Sequence, residues 1–274
     1  MTRPRTRRRP GPPDVRRGRR VALVTGAARG IGAATVQRLA ADGFNVVAVD
    51  RAADDPRLPY PLATAQELRA LGSDRVHTVQ ADATDVEALR AAAEEAERRW
   101  GGLDVVVAAA GVIAGGVPAW ELDSDAERAV LDVNLGGVIA AARACVPALL
   151  RRPEPREGRF IAVASSAATR GLPMLAAYCA AKAGVLGFVR ALAAELGPTG
   201  VTVNAVSPGS TRTPILDESA RLYGLESAEA FAAQQPLGRL LEPDEVASLI
   251  AWLASPHSSG ATGANYPVDG GLSL

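Results

Sequence analysis

Lysine is almost absent from this chain. Of its 30 basic residues, 29 are arginine and Lys182 is the exception. Two cysteines, two histidines and 4% aromatic residues among 274 make other chemistries scarce as well. Cys145 and Cys179 stand alone inside stretches of helical pattern, which gives neither a disulfide framework nor metal-ligand spacing. His77 and His257 have no carboxylate or cysteine pattern around them, so no metal site is expected. A reducing cytoplasm is the expected compartment. With 48% hydrophobic residues and few rings, the chain should bury one large core of Ala, Val and Leu between closely spaced helix and sheet layers.

The formal net charge is zero, but it is unevenly spread. Residues 1–20 carry nine arginines and one aspartate, which leaves the remainder at −8. An acidic body is a poor nucleic-acid surface, so no nucleic-acid partner is expected. The basic start has no apolar stretch and is not a secretory signal. Its Pro, Gly and self-repelling charge predict a disordered arm over residues 1–19, followed by one domain over 20–274. No membrane span is expected: the uncharged run Val105 to Trp120 is short and is broken by Gly111, Gly115, Gly116 and Pro118.

From residue 20 onward, short apolar runs alternate with Ala-rich helical stretches. Candidate strands are Arg20–Thr25, Asn45–Val49, Val76–Gln80, Leu103–Ala108, Arg159–Ala164, Val201–Val206 and Asn265–Val268. Most are apolar on both faces, as strands between two helix layers are. Helices are predicted over Ile31–Asp42, Thr64–Leu71, Val86–Trp100, Ser124–Leu150, Leu175–Leu196 and Pro243–Ala254. The alternation implies parallel strands joined by crossover helices, a doubly wound α/β fold. Two segments interrupt it. Arg51–Pro61 places three prolines after the second strand, and Pro208–Gln235 is a long connection with room for a short helix. Long connections at the carboxyl ends of parallel strands are where such folds hold ligands.

The first strand runs into TGAARGIG. Gly26 permits a tight turn, Gly30 lets backbone approach a pyrophosphate at the helix N-terminus, and Gly32 lets that helix lie close on the sheet. Arg29 and Ile31 flank these glycines. No Gly-Lys-Ser/Thr follows, which excludes a P-loop. Asp50 ends the second strand, where a carboxylate accepts the adenosine ribose hydroxyls and repels a 2′-phosphate, favouring NAD over NADP. Arg51 and Arg29 pull the other way, since either could pair with a phosphate. Asp82, with Ala83 beside it, could accept from the adenine amino group or simply cap the next helix.

TGAARGIG, VVAAAG, NLGG, VASS, YCAAK, SPGSTRTP and VDGG follow in that order from about residue 20 to the C-terminus. This set resembles the short-chain dehydrogenase/reductase family, in the order of its motifs more than in any one of them. The resemblance implies a single-domain Rossmann-type fold with a seven-stranded parallel sheet flanked by helices. It also implies oxidation of alcohols or reduction of carbonyls with a nicotinamide cofactor.

The lone lysine then has an expected task. Tyr178 and Lys182 lie four residues apart on one helix face. A free tyrosine has a pKa of about 10 and is a poor base at neutral pH. A fixed cation beside it should lower that value, so that Tyr178 trades a proton with the substrate oxygen. The resemblance also gives Lys182 a bond to the nicotinamide ribose. It implies a serine that orients the substrate oxygen. The usual spacing selects Ser165, aligning on the strand selects Ser166, and Ser165 is preferred. Asn134 in NLGG matches an asparagine that supports a water linking the lysine to solvent. Pro208 and Gly209 match a turn that meets the nicotinamide carboxamide, with Thr211 or Thr213 nearby. Ala110 and Gly111 are expected against adenosine.

Two departures stand out. The usual NNAG is AAAG here, Ala108 to Gly111, which puts a hydrogen-bond network in doubt. The insertion DRAADDPRLPYPLAT is similar to that of a subgroup associated with the redox carrier mycofactocin, in which the nicotinamide stays bound through turnover. Substrate contacts are expected from Val112–Trp120 and Thr211–Gln235, with Leu216, Leu222, Tyr223 and Phe231 among them. These features suit a hydrophobic secondary alcohol or ketone. A homo-oligomer, tetramer or dimer, is implied by the family. The competing expectation is a non-catalytic nucleotide sensor of the same fold, which would have no need of the proton relay.

Overall fold

A computed structural model describes residues 19–274. The basic arm predicted over residues 1–19 therefore lies almost wholly outside the described residues. Seven parallel strands form one sheet: β1 (Val21–Thr25), β2 (Asn45–Asp50), β3 (Val76–Gln80), β4 (Val105–Ala108), β5 (Arg159–Val163), β6 (Thr202–Pro208) and β7 (Asn265–Val268). Their order is β3-β2-β1-β4-β5-β6-β7. β1, β2, β4 and β5 bury nearly every residue, because helices cover both faces of the sheet.

The helices are α1 (Gly30–Ala41), α2 (Ala65–Ala70), α3 (Val86–Trp100), α4 (Ser124–Leu131), α5 (Gly137–Arg151), α6 (Ala176–Leu196), α7 (Pro214–Leu222) and α8 (Pro243–Ala254). One layer packs Leu89 of α3, Val138 and Ala141 of α5, and Val185 and Val189 of α6 on the sheet. The other packs Val36 and Leu39 of α1 with Val246 and Ile250 of α8. Ser124–Arg151 and Ala176–Thr199 are long and apolar enough to cross a membrane, whereas the sequence led us to expect no such helix. Inside this fold their apolar faces lie on the sheet, the usual arrangement of a core helix.

Element ends shift by a residue or two. β4 starts at Val105; Asp104 before it still bonds Val21 and Arg159 through its backbone, and its Oδ2 accepts the Val21 amide at 2.8 Å. β6 extends to Pro208, paired with Val268. The larger difference is in the helix predicted over Ser124–Leu150, which a π-helical turn at Asp132–Gly136 divides into α4 and α5. The strand order reverses between β1 and β4, so loops on either side part and leave a crevice at the carboxyl ends.

Candidate functional site

That crevice is a cleft of about 650 Å³. Its nucleotide half is built from backbone. Gly26 and Gly30 have left-handed φ of +66° and +56°. A Cβ on Gly26 would lie 2.6 Å from the Ala110 backbone, and one on Gly32 would run into the Gly26 carbonyl. Only glycine lets the turn and α1 close here. No side chain caps the N-terminus of α1, and its first turn holds no acidic residue. Its amides are left for an anion, which fits the pyrophosphate of a dinucleotide.

Both oxygens of Asp50 take backbone amides, Ala28 at 3.0 Å and Ala52 at 2.9 Å, so the carboxylate is fixed at the cleft. Arg51 is occupied by Asp55 at 2.8 Å and Asp82 at 3.6 Å. Arg29 donates to the Pro61 carbonyl at 3.2 Å. The two arginines that could favour a 2′-phosphate are thus spoken for. Asp82 accepts the Thr84 amide and hydroxyl, each at 2.8 Å, as a turn-capping residue does, while still lining the cleft beside Ala83. AAAG has kept a network without its asparagines. The Ala109 and Ala110 amides both point at Thr25 Oγ1, at 3.2 and 3.4 Å.

The other wall gathers the predicted polar set. Tyr178 and Ser165 both line the cleft, close enough for Ser165 to act on the phenol. Ser166 also borders it, because a 3₁₀ turn starts there and strand alternation ends, but Ser165 is the serine that acts on the Tyr178 phenol. Lys182 and Asn134 stand just behind this wall, 4% and 0% exposed. Lys182 Nζ donates to the Val163 carbonyl at 2.9 Å and lies 5.7 Å from the Tyr178 ring centroid. Asn134 accepts the Val112 amide at 3.3 Å and donates to the Val112 and Val130 carbonyls, both at 2.8 Å. Such competition for backbone bonds is what opens a helix into a π turn. Gly111, which lines the cleft, lies against both groups. A Cβ there would meet Asn134 Oδ1 at 3.0 Å and Lys182 Nζ at 3.6 Å.

The electrostatics differ from expectation in one respect. Burial pushes the Tyr178 phenol up to about 12, partly offset by Ser165. Burial also lowers the Lys182 ammonium to about 8. Removal from water outweighs mutual support, so the protein by itself favours the neutral phenol.

Pro208, Gly209, Thr211 and Thr213 line the far side. A Cβ on Gly209 would lie 2.7 Å from Asp269 Cα. Thr213 caps α7 and faces Gly30, whereas the Thr211 hydroxyl turns back to the Gly209 carbonyl at 3.1 Å. Gln235, 2% exposed, holds this turn by accepting the Ser210 amide at 3.0 Å. Sequence reasoning passed over it as a loop glutamine. It also passed over Tyr60, the single aromatic of the insertion, whose hydroxyl accepts the Ile113 amide at 2.9 Å.

The substrate end is apolar. Ile113, Ile215, Leu216, Tyr223 and Phe231 line it, together with the segment Arg170–Pro173 that the sequence did not flag. Of the expected segment Val112–Trp120 only Val112 and Ile113 reach the cleft, with Trp120 85% exposed, and Leu222 packs on Gly116 instead. Among the described residues, no cluster of His, Cys, Asp or Glu could hold a metal ion.

Known proteins are similar to this chain along nearly its whole described length. A family model described as enoyl-(acyl carrier protein) reductase matches residues 26–273. The short-chain reductase protein NovJ of Streptomyces niveus is 40% identical over 260 residues, covering 92% of this chain and 93% of its own. Trans-4-hydroxycyclohexanecarboxylate dehydrogenase of Sinomonas cyclohexanicum is 39% identical, with 92% of both chains covered. The crystal structure of carveol dehydrogenase from Mycobacterium avium in complex with NAD superposes with a TM-score of 0.87 at 32% identity, covering 93% of this chain and 99% of that one.

Proposed function

Because this chain belongs to the short-chain dehydrogenase/reductase family, we propose that it transfers hydride between NAD(H) and a hydrophobic secondary alcohol or ketone, with Tyr178 as general acid/base. The observation that carries this reading is Ser165 and Tyr178 on one wall of the cleft, with Lys182 and Asn134 buried just behind it, facing a glycine cradle and Asp50 at the other end. A nucleotide sensor would have no use for that wall.

The lining fits NAD. The uncapped amides of α1 suit its pyrophosphate, and the fastened Asp50 carboxylate suits an unphosphorylated ribose. When bound, NAD supplies the hydride-accepting ring, which is cationic in its oxidised form. Ser165 would hold the substrate oxygen, and Tyr178 would take the alcohol proton or return it to the alkoxide. With the Tyr178 phenol pushed up by burial even beside Lys182, the positive charge of the oxidised cofactor would favour its service as a base. Lys182 is held by Val163, and both Lys182 and Asn134 lie close behind Gly111.

Assaying a panel of hydrophobic alcohols with NAD and an artificial electron acceptor tests this. Tyr178→Phe should lower kcat by about 10²–10⁴-fold while NAD still binds. Retained turnover would remove Tyr178 from the mechanism, and NAD binding with no turnover of any alcohol would favour the sensor.

Three narrower readings go with it. The strap of residues 51–63, over the adenosine end, supports a retained NAD and an external acceptor such as mycofactocin. Protein purified without added nucleotide should then release NAD on denaturation, and an empty extract would count against retention. The half-exposed faces of α4, α5 and α6 support a homo-oligomer, which a monomer in sedimentation would refute. A cytoplasmic setting agrees with two free cysteines; disulfide-linked protein from cells would speak against it.

A further inference from the structure

The strap reaches past the nucleotide half. At Ala52, left-handed with φ +51°, the chain leaves β2 and turns across the cleft. Asp55, 2% exposed, is its internal anchor. It accepts the Arg57 amide and Nε at 3.0 Å, Arg57 Nη2 at 2.8 Å and Arg51 Nη1 at 2.8 Å. This fork holds the Arg57 guanidinium in one orientation and leaves Nη1 for Asp132, 75 residues on, at 2.8 Å. The Arg57–Asp132 pair is partly exposed and would be weak if Arg57 were free to move. Three residues later, the Tyr60 hydroxyl takes the Ile113 amide.

These two distant contacts land on the two segments that Asn134 ties together. Asp132 opens the π turn that carries Asn134. Ile113 follows Val112, whose amide and carbonyl both bond the Asn134 side chain. Leu58 of the strap shares an apolar cluster with Val112, Val130 and Ala181, against which Tyr60 and Tyr178 both pack. A cover for adenosine needs only contacts such as Arg29 to Pro61, which touch neither Asp132 nor Ile113.

We propose that Arg57 and Tyr60 are positioning residues: the strap clamps both sides of the Asn134 junction and so sets the backbone that holds Gly111 against Lys182. The insertion is then part of the catalytic wall as well as a lid on the nucleotide. This rests on the dehydrogenase reading above.

Asp132→Ala removes one clamp at a side chain that is 55% exposed, and Tyr60→Phe removes a single hydroxyl, so both variants should fold. In each, deuterium uptake at Val112, Ile113 and the Asn134 turn should quicken about fivefold, the worth of one hydrogen bond. Turnover should fall about fivefold with KM for NAD within about twofold of the parent, and Asp132→Glu should restore it. Unchanged uptake and kcat in both variants would overturn the proposal, as would a loss confined to NAD affinity. Uptake needs no turnover, so if the parent protein oxidises none of the alcohols, the dehydrogenase reading fails while exchange alone still decides the clamp.

Discussion

At the Gly26–Gly32 turn the cleft wall is backbone, where one added carbon has nowhere to go. At Leu216, Tyr223 and Phe231 it is apolar side chain, packed in a small cluster of its own apart from the two large cores. The first region is crossed by fixed hydrogen bonds: Asp50 to two amides and Thr25 toward two more. In the second, Tyr223 meets Phe231 edge-on at 6.1 Å and donates its hydroxyl to the Pro173 carbonyl at 2.7 Å. The contrast teaches a division of labour. A cofactor common to many reactions can be held by backbone geometry, while a substrate is chosen by side-chain shape.

The comparison breaks hardest at Gly32. Gly32→Ala should cost about 3 kcal/mol of stability in chemical denaturation and abolish NAD binding, because neither α1 nor the Gly26 carbonyl can yield. A variant that folds and binds NAD normally would show that the nucleotide half is not rigid.

Lys182 gives a smaller effect with a definite sign. Its ordinary value is 10.5, and burial lowers it to about 8. Below about pH 8 the folded protein carries the full cost of a buried ammonium; between about 8 and 10.5 the unfolded chain binds more protons, so stability rises with pH. Lys182→Met should therefore stabilise the cofactor-free protein at pH 7 by up to about 3 kcal/mol, a gain that fades between about pH 8 and 10.5. The same change should remove activity. A thermal melt showing the Met variant weaker at pH 7 would mean that the bond to Val163 outweighs the burial.

Smallest is the substrate half. Leu216→Ala should raise KM for a hydrophobic alcohol about tenfold and leave the NAD Kd unchanged, since Leu216 borders the cleft from a satellite cluster. If NAD affinity fell as much, the two halves would not be separable.

Much of this was legible in the chain. Apolar runs marked all seven strands, and the third and seventh were bounded to the residue. The spacing of Tyr178 and Lys182 put both on one helix face, and the glycine spacing put a turn at β1. What escaped had distant partners. The π turn depends on Asn134 meeting Val112, 22 positions away, and Tyr60 on an amide 53 positions away. AAAG looked like a loss because the compensating Thr25 lies 84 residues earlier.

The sequence alone determined which residues are glycine at the turn, which faces of strand and helix are apolar, and that one ammonium follows one phenol by a helical turn. These follow from periods of two and 3.6 residues and from steric limits within a few bonds. Only the tertiary structure decided that Ser165 meets Tyr178, that burial raises the phenol instead of lowering it, and that the insertion grips the Asn134 junction. Desolvation and long-range hydrogen bonds depend on what the folded chain brings alongside a group, and no local spacing records that.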